Sequence, residues 1–163
     1  MGISNGMDFD TTLEQMTKLY DGYHFYPHCE GVFNPFSVLN ACKSKILDNF
    51  WFQTGTPTYL VNLLKESDYD LRLLIEGVEV TASAFFEYRA EVKNPLPMIY
   101  QSGYLTIKDY DRDVLLYTLG FPNDEVRYGF LNFLVPYYTE VTDDETGFHI
   151  AKFMRELRSG DVD

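Results

Sequence analysis

Apolar residues recur at helical spacing in several separate stretches of this chain, and most of these stretches open with a capping residue followed by proline. In "FNPFSVLNACKSKILDNFW", Asn34 suits the N-cap and Pro35 the first helical position, and Leu39, Cys42, Ile46 and Phe50 then recur along one face. In "TGTPTYLVNLLKES", Thr56 caps and Pro57 opens a helix whose Tyr59, Leu60, Leu63 and Leu64 face one way. "KNPLPMIYQSGY" repeats the pattern with Asn94 and Pro95, and Gly103 suits the C-terminal cap. After "FPNDE" a helix is expected from Asn123. Asp124 and Glu125 there complement the helix dipole, and Val126, Phe130, Phe133, Leu134 and Tyr137 form the apolar stripe. Pro136 should end or kink that helix. Two further helices are predicted, one in "TTLEQMTKLYDGY" ending near Asp21 and Gly22, the other through "FHIAKFMRELRSGD" to Gly160.

Alternating patterns are fewer. "GYLTIKDYDRDVLLYTLGF" alternates from Tyr104 to Lys108 and resumes from Val114 to Leu119, so the Asp-rich centre Asp109 to Asp113 reads as a hairpin tip. "VEV" at Val78 to Val80 adds a third strand, and Thr81 would cap a helix through "ASAFFEYR". Residues 57–120 then run helix, short strand, helix, helix and a two-stranded wing, which is the order of a winged helix. The sequence therefore predicts an α+β, mostly helical chain with a small β-hairpin wing.

Charge narrows what such a domain could bind. Thirteen Lys and Arg stand against 25 Asp and Glu, a formal net charge of −12 that repels nucleic-acid backbones and anionic lipid. The helix before a wing would normally enter the major groove, yet no Lys or Arg lies between Lys93 and Lys108. The wing "KDYDRD" carries three aspartates against one lysine and one arginine. Nucleic acid is thus an improbable partner through this segment, with a winged-helix nucleic-acid-binding module kept as the rival reading. No window has the roughly 18 uninterrupted apolar residues of a membrane span. "MGISNGMDFDTT" has neither a basic n-region nor an apolar h-region, so no signal peptide is expected. Cys29 and Cys42 make no disulfide framework, and reduced thiols in a cytoplasmic protein are the expectation.

Candidate chemistry is sparse. "GYHFYPHCE" clusters His24, His28, Cys29 and Glu30, but Pro27 interrupts any helix that would align the histidines and no second Cys/His cluster completes a tetrahedral site. No bound metal is expected. An aromatic turn packed under the first helices explains the cluster more simply. A small hydrolase using His24, Cys29 or His149 would need Cys29 beside a histidine in space. There is no Gly-x-x-x-x-Gly-Lys-Ser/Thr loop and no Gly-x-Ser-x-Gly elbow. No residue is singled out as catalytic.

Five phrases in order, "YDGYHF", "GVFNPFSVLNA", "WFQTGTPTYLVNLL", "QSGYLTIKDYD" and "YTLGFPNDEVRYGFLNFLVPYY", resemble the bacterial AAA-ATPase-like proteins that carry a C-terminal PD-(D/E)XK nuclease-type domain. The resemblance runs from about Leu13 to Asp163. It implies a segment lying between the ATPase core and the nuclease-like domain of one polypeptide, since the chain has no Walker motifs and stops at "RSGDVD" before the nuclease residues. The expected organisation is a helical lid-like unit over 1–66, a winged-helix-like unit over 67–140 and a connector helix over 141–163. The intact protein would use ATP and Mg. In related ATPases a Gly-x-Pro heads a lid helix near the nucleotide, which maps to Gly55 and Pro57 with Thr54 and Thr56 beside them. A helix N-terminus suits an anion physically, but without a P-loop it would hold ATP weakly. Gly22 and Gly31 supply tight turns, and Tyr20, Tyr23, Phe25 and Phe33 are expected to pack the lid. The expected role is non-catalytic coupling of nucleotide state to the effector domain through protein–protein packing. A homo-oligomer could form through an apolar face that would otherwise meet the ATPase core.

Overall fold

The structure, a computed structural model, describes residues 8–54, 58–67, 69–70, 72–85 and 94–138. It is α+β, with about half of the described residues helical and a small three-stranded antiparallel sheet. The chain divides into two compact units, Met1–Arg127 and Tyr128–Asp163. The helix expected in 148–161 and the Gly55–Pro57 turn lie outside the described residues, as does the expected helix beyond Phe85.

The first unit begins with α1, Phe9–Tyr20, whose N-cap Asp8 accepts from the Thr11 N–H at 2.8 Å. The chain then turns through an isolated bridge between Tyr23 and Val32 into α2, Pro35–Ser44. Asn34 caps α2 as its sequence predicts, accepting from Phe36 N–H at 3.1 Å and Ser37 N–H at 3.4 Å. Lys45, in the left-handed region with φ 59°, then ends the helix. Its buried face carries Ser37 and Ala41, whereas Leu39 is 69% and Ile46 49% exposed and Cys42 is exposed. The expected stripe of Leu39, Cys42, Ile46 and Phe50 is therefore corrected. The helix stops before Ile46, and the face that turns inward is the one whose Ser37 finds a polar partner inside.

Tyr20, Ala41 and Phe50 form a buried cluster flanked by Met16, Leu19, Phe33, Val38 and Leu47. The Tyr20 hydroxyl donates to the Asp48 carbonyl at 2.9 Å and accepts from the Asp48 N–H at 3.1 Å, fixing the loop after α2 with one phenol. Tyr20 and Phe33 thus pack as expected, but Phe25 is 76% exposed and does not. A 3-10 turn, Trp51–Thr54, leads towards α3, Thr58–Ser67. Leu60, Leu63 and Leu64 are buried together with Val61, while Tyr59 faces solvent, which corrects its place on the apolar face.

The short α4, Arg72–Glu76, precedes β1, Val78–Thr81; a 3-10 turn, Ala82–Phe85, follows. Then come α5, Leu96–Gln101, β2, Thr106–Asp111, and β3, Leu116–Gly120. The sheet order is β1-β3-β2, every pair antiparallel. The hairpin tip falls at Arg112–Leu115, later than the expected Asp109–Asp113, because the Asp111 carboxylate accepts from Asp113 N–H at 2.8 Å and Val114 N–H at 3.3 Å. Ile107 pairs with Leu119 and Asp109 with Thr118, so Lys108 is an unpaired extra residue in β2.

The helix α6, Asp124–Tyr138, is capped by Asn123, whose Oδ1 accepts from Val126 N–H at 3.0 Å. It continues through Pro136 to Tyr138, so the proline does not end the helix where it stands. Of its expected stripe, Val126 in the first unit and Phe130 and Leu134 in the second are buried.

One glycine joins the ends of the first unit. Gly22 has φ +109°, and a Cβ there would overlap the Pro122 carbonyl oxygen. Gly22→Ala is therefore expected to lower stability by about 2 kcal/mol or more, combining backbone strain with a backbone clash. Chemical denaturation of the variant beside the parent chain measures it, and a loss below about 0.5 kcal/mol would contradict this packing.

Candidate functional site

The residues Gly120 to Arg127 bring together the most unusual polar groups of the first unit. The short run Gly120-Phe121-Pro122-Asn123 carries the chain from β3 into the first turn of α6. Pro122 and Asn123 suit this place because proline stiffens the approach and asparagine accepts from the orphan N–H groups of a helix start.

Glu125, at the second position of α6, has no exposed surface. Its Oε1 accepts from the Phe50 N–H at 2.7 Å and the Trp51 N–H at 3.0 Å, and its Oε2 accepts from the Ser37 hydroxyl at 2.7 Å. One carboxylate thus ties α2, the turn that enters Trp51–Thr54, and the start of α6. Burial pushes its carboxyl above the ordinary carboxylate range, outweighing the hydrogen bonds from Ser37, Trp51 and Phe50 that pull it down. Glu125 stands in the first turn where the sequence places it against the helix dipole, and its burial adds a role that position alone does not announce. Asp124 keeps a surface role, accepting from Arg127 Nη2 at 3.3 Å.

Beside the same turn lies a cleft of about 550 Å³, bounded by Asp21 and Gly22 after α1, Glu76 at the end of α4, Lys108, Asn123 and Arg127. The bulge that frees Lys108 from the ladder sends its stem over Gly120, where a Cβ would stand 3.2 Å from the Lys108 Cγ. Its ammonium donates to the Pro122 carbonyl at 3.0 Å. Burial pushes the Lys108 ammonium below the ordinary lysine range, with the Asp21 carboxylate pulling the other way. Lys108 therefore belongs to this cleft and not to the wing tip. Two buried donors here have no partner among the described residues, Asn123 Nδ2 and Arg127 Nε. A donor buried in this way costs about 1–3 kcal/mol.

The residues marked out by sequence are placed elsewhere. Thr54 ends the 3-10 turn that begins at Trp51, and Gly55, Thr56 and Pro57 lie outside the described residues, as does His149. The structure does bring Cys29 near His24, with Sγ 3.8 Å from Nδ1. That nitrogen is also 2.9 Å from the Cys29 carbonyl oxygen. A carbonyl only accepts, so Nδ1 carries its proton and cannot take the one on the thiol. Among the described residues no three His, Cys, Asp or Glu side chains stand together as a metal site. Among them, too, no helix is long and apolar enough to cross a membrane.

No protein-family model matches the chain, and no solved structure does. A curated protein of Azotobacter chroococcum mcd 1, described as an uncharacterized protein in the vnfD 5' region, is 33% identical over 124 residues. That match covers 75% of this chain and 23% of the relative, so the chain spans about a quarter of that protein's length.

Two substitutions separate the shape of the Glu125 clamp from its charge. In Glu125→Gln the amide oxygen can still accept from both backbone N–H groups while the amide nitrogen donates to Ser37, so the change should cost less than about 1 kcal/mol near neutral pH. Glu125→Leu strands those donors and should cost about 3 kcal/mol or more. The pH dependence carries a definite sign. Because the folded carboxyl lies above its ordinary value of 4.5, its contribution is complete below that pH and is lost as pH rises through the folded value. Denaturant midpoints measured from pH 4 to 8 should show the parent chain losing stability relative to Glu125→Gln as pH rises, and the opposite slope would refute the assignment.

Proposed function

We propose that this chain is the lid and connector segment of a larger AAA-ATPase-like protein, without catalytic chemistry of its own, which couples nucleotide state to a C-terminal PD-(D/E)XK nuclease-like domain. The observation that carries the reading is the Glu125 clamp. Trp51 opens the turn leading directly to Thr54, Gly55, Thr56 and Pro57, the residues expected near nucleotide, and its backbone N–H is bound by the first turn of α6. A shift of that turn would displace the start of α6 through a single carboxylate instead of dissipating in a loose loop.

Other features agree with this reading. A sheet in which β3 lies between β1 and β2, entered through α4 and α5, is the pairing that a winged-helix-like unit would use. The exposed Phe36, Leu39 and Ile46 offer α2 and the residue run after it as an apolar contact for a neighbouring domain, at 43%, 69% and 49% exposure. The matched relative is more than four times as long as the matched stretch, which leaves room for further domains in a protein of that kind. The winged-helix order also serves nucleic-acid readers. Here α5 buries Leu96, Pro97 and Ile99 and carries no cation, and the hairpin tip sets Arg112 among Asp109, Asp111 and Asp113. Packing against protein suits this composition better than phosphate contact.

A titration of the chain with Mg-ATP, followed by two-dimensional amide NMR, tests the reading. The Thr54 and Thr58 amides should stay unmoved at millimolar nucleotide, because a lid needs the P-loop of the core to present the ligand. Saturable micromolar shifts at those amides, or nuclease or ATPase turnover by the purified chain, would overturn it.

A further inference from the structure

We propose that the tip of the β2–β3 hairpin is a docking knob, made by Val114 and Leu115, which enters an apolar socket rimmed by Lys or Arg on a partner protein. This goes beyond the connector reading, which concerns the Trp51–Thr54 turn and α6, and does not depend on it.

Leu115 is the residue that folding alone does not explain. Its φ is 57°, in the left-handed region that a turn normally gives to glycine or asparagine. Among the described residues only His28 and Lys45 share that region without being glycine, and neither is a large apolar residue. No packing offsets the strain, because Leu115 is 62% and its neighbour Val114 60% exposed. Folding by itself favours Gly or Asn at 115 and a polar residue at 114. Two large apolar side chains held in water at a strained turn point instead to a surface used for contact.

The knob is held in shape before any partner arrives. Asp111 and Leu116 make the last pair of the ladder, and the Asp111 carboxylate accepts from the Asp113 and Val114 N–H groups within the turn. Behind that pair the Tyr110 and Tyr117 rings pack with their centroids 4.4 Å apart. A preformed tip pays little further ordering cost when it docks. Charge then selects the partner. Asp109, Asp111 and Asp113 stand exposed around the tip, and Arg112 is the one cation in 109–115, so the apolar pair is ringed by net negative charge. Apolar anchors inside a charged rim match a socket whose rim has the opposite sign. The same carboxylates, on a chain of net charge −12, repel anionic lipid and phosphate backbones.

The test uses the isotope-labelled full chain, titrated with a helical peptide of leucine and lysine and separately with a serine and lysine peptide of equal charge. Saturable shifts should gather in backbone amides 111–116 with the leucine peptide, and affinity for the serine peptide should be roughly tenfold weaker. Leu115→Gly should weaken binding of the leucine peptide about fivefold, because the anchor is gone. The same variant should raise the folded-to-unfolded ratio in denaturant about twofold or more, because glycine relieves the left-handed strain. Val114→Ser should weaken binding to a similar degree and leave that ratio within about twofold of the parent. A loss of stability in Leu115→Gly would show that the leucine serves the fold, and would overturn the proposal. Equal response to both peptides, shifts centred away from the hairpin tip, or unaltered binding by Leu115→Gly would do the same. Binding of neutral phosphatidylcholine vesicles at these amides would make the tip a membrane anchor and overturn it too.

Discussion

A carboxylate sealed from water, with no cation beside it among the described residues, is a costly object, and the first unit contains one. Glu125 is tolerable there because its oxygens meet the Phe50 and Trp51 N–H groups and the Ser37 hydroxyl at short distance. Those partners come from sequence positions more than seventy residues away, so the bonds tie the first helices to the last one described. They also decide the roll of α2 about its axis. Ser37 must face inward to reach the carboxylate, and Ala41 follows it one turn on, which leaves Leu39 outside. An apolar stripe is thereby displaced by a single polar contact.

The first turn of α6 does two jobs with neighbouring residues. Glu125 anchors the turn to the aromatic cluster around Tyr20 and Phe50, while Asn123 and Arg127 border the cleft. A helix start bound through three hydrogen bonds cannot relax easily, so the wall it gives the cleft is held in place. Gly22 and Pro122 meet beside the Lys108 ammonium, so the α1 terminus, the bulged strand and the α6 entry are fitted to one another.

Much of the element order was legible beforehand. The Asn34-Pro35 start, the end of α1 near Asp21, the three strands and the start of α6 near Asn123 follow from local chemistry that acts over a few residues. What escaped reading was set by contacts distant in sequence. The roll of α2 depends on Glu125, and no pattern within "FNPFSVLNACK" contains that information. Glu125 itself left a faint positional signal, since it precedes Val126 and lies four residues before Gly129, both of which are buried. Charge masked that signal, because a glutamate in a first helical turn has a sufficient explanation in the dipole. Lys108 was hidden for a related reason. Strict alternation places it on the outward face of a strand, and a bulge, which breaks alternation by one residue, is invisible until the partner strand is known.

That bulge bears on what the edges of the sheet offer to another strand. In the order β1-β3-β2 both outer strands present backbone edges unpaired among the described residues, the usual template for runaway pairing between molecules. The β1 edge is only four residues long and carries the exposed Glu79. Along β2 the ladder is interrupted at Lys108 and flanked by the exposed Asp109 and Asp111. A second strand laid against either edge would meet buried-charge penalties or a broken register within a few residues. The irregularity at Lys108 therefore also makes β2 a poor template for a further strand.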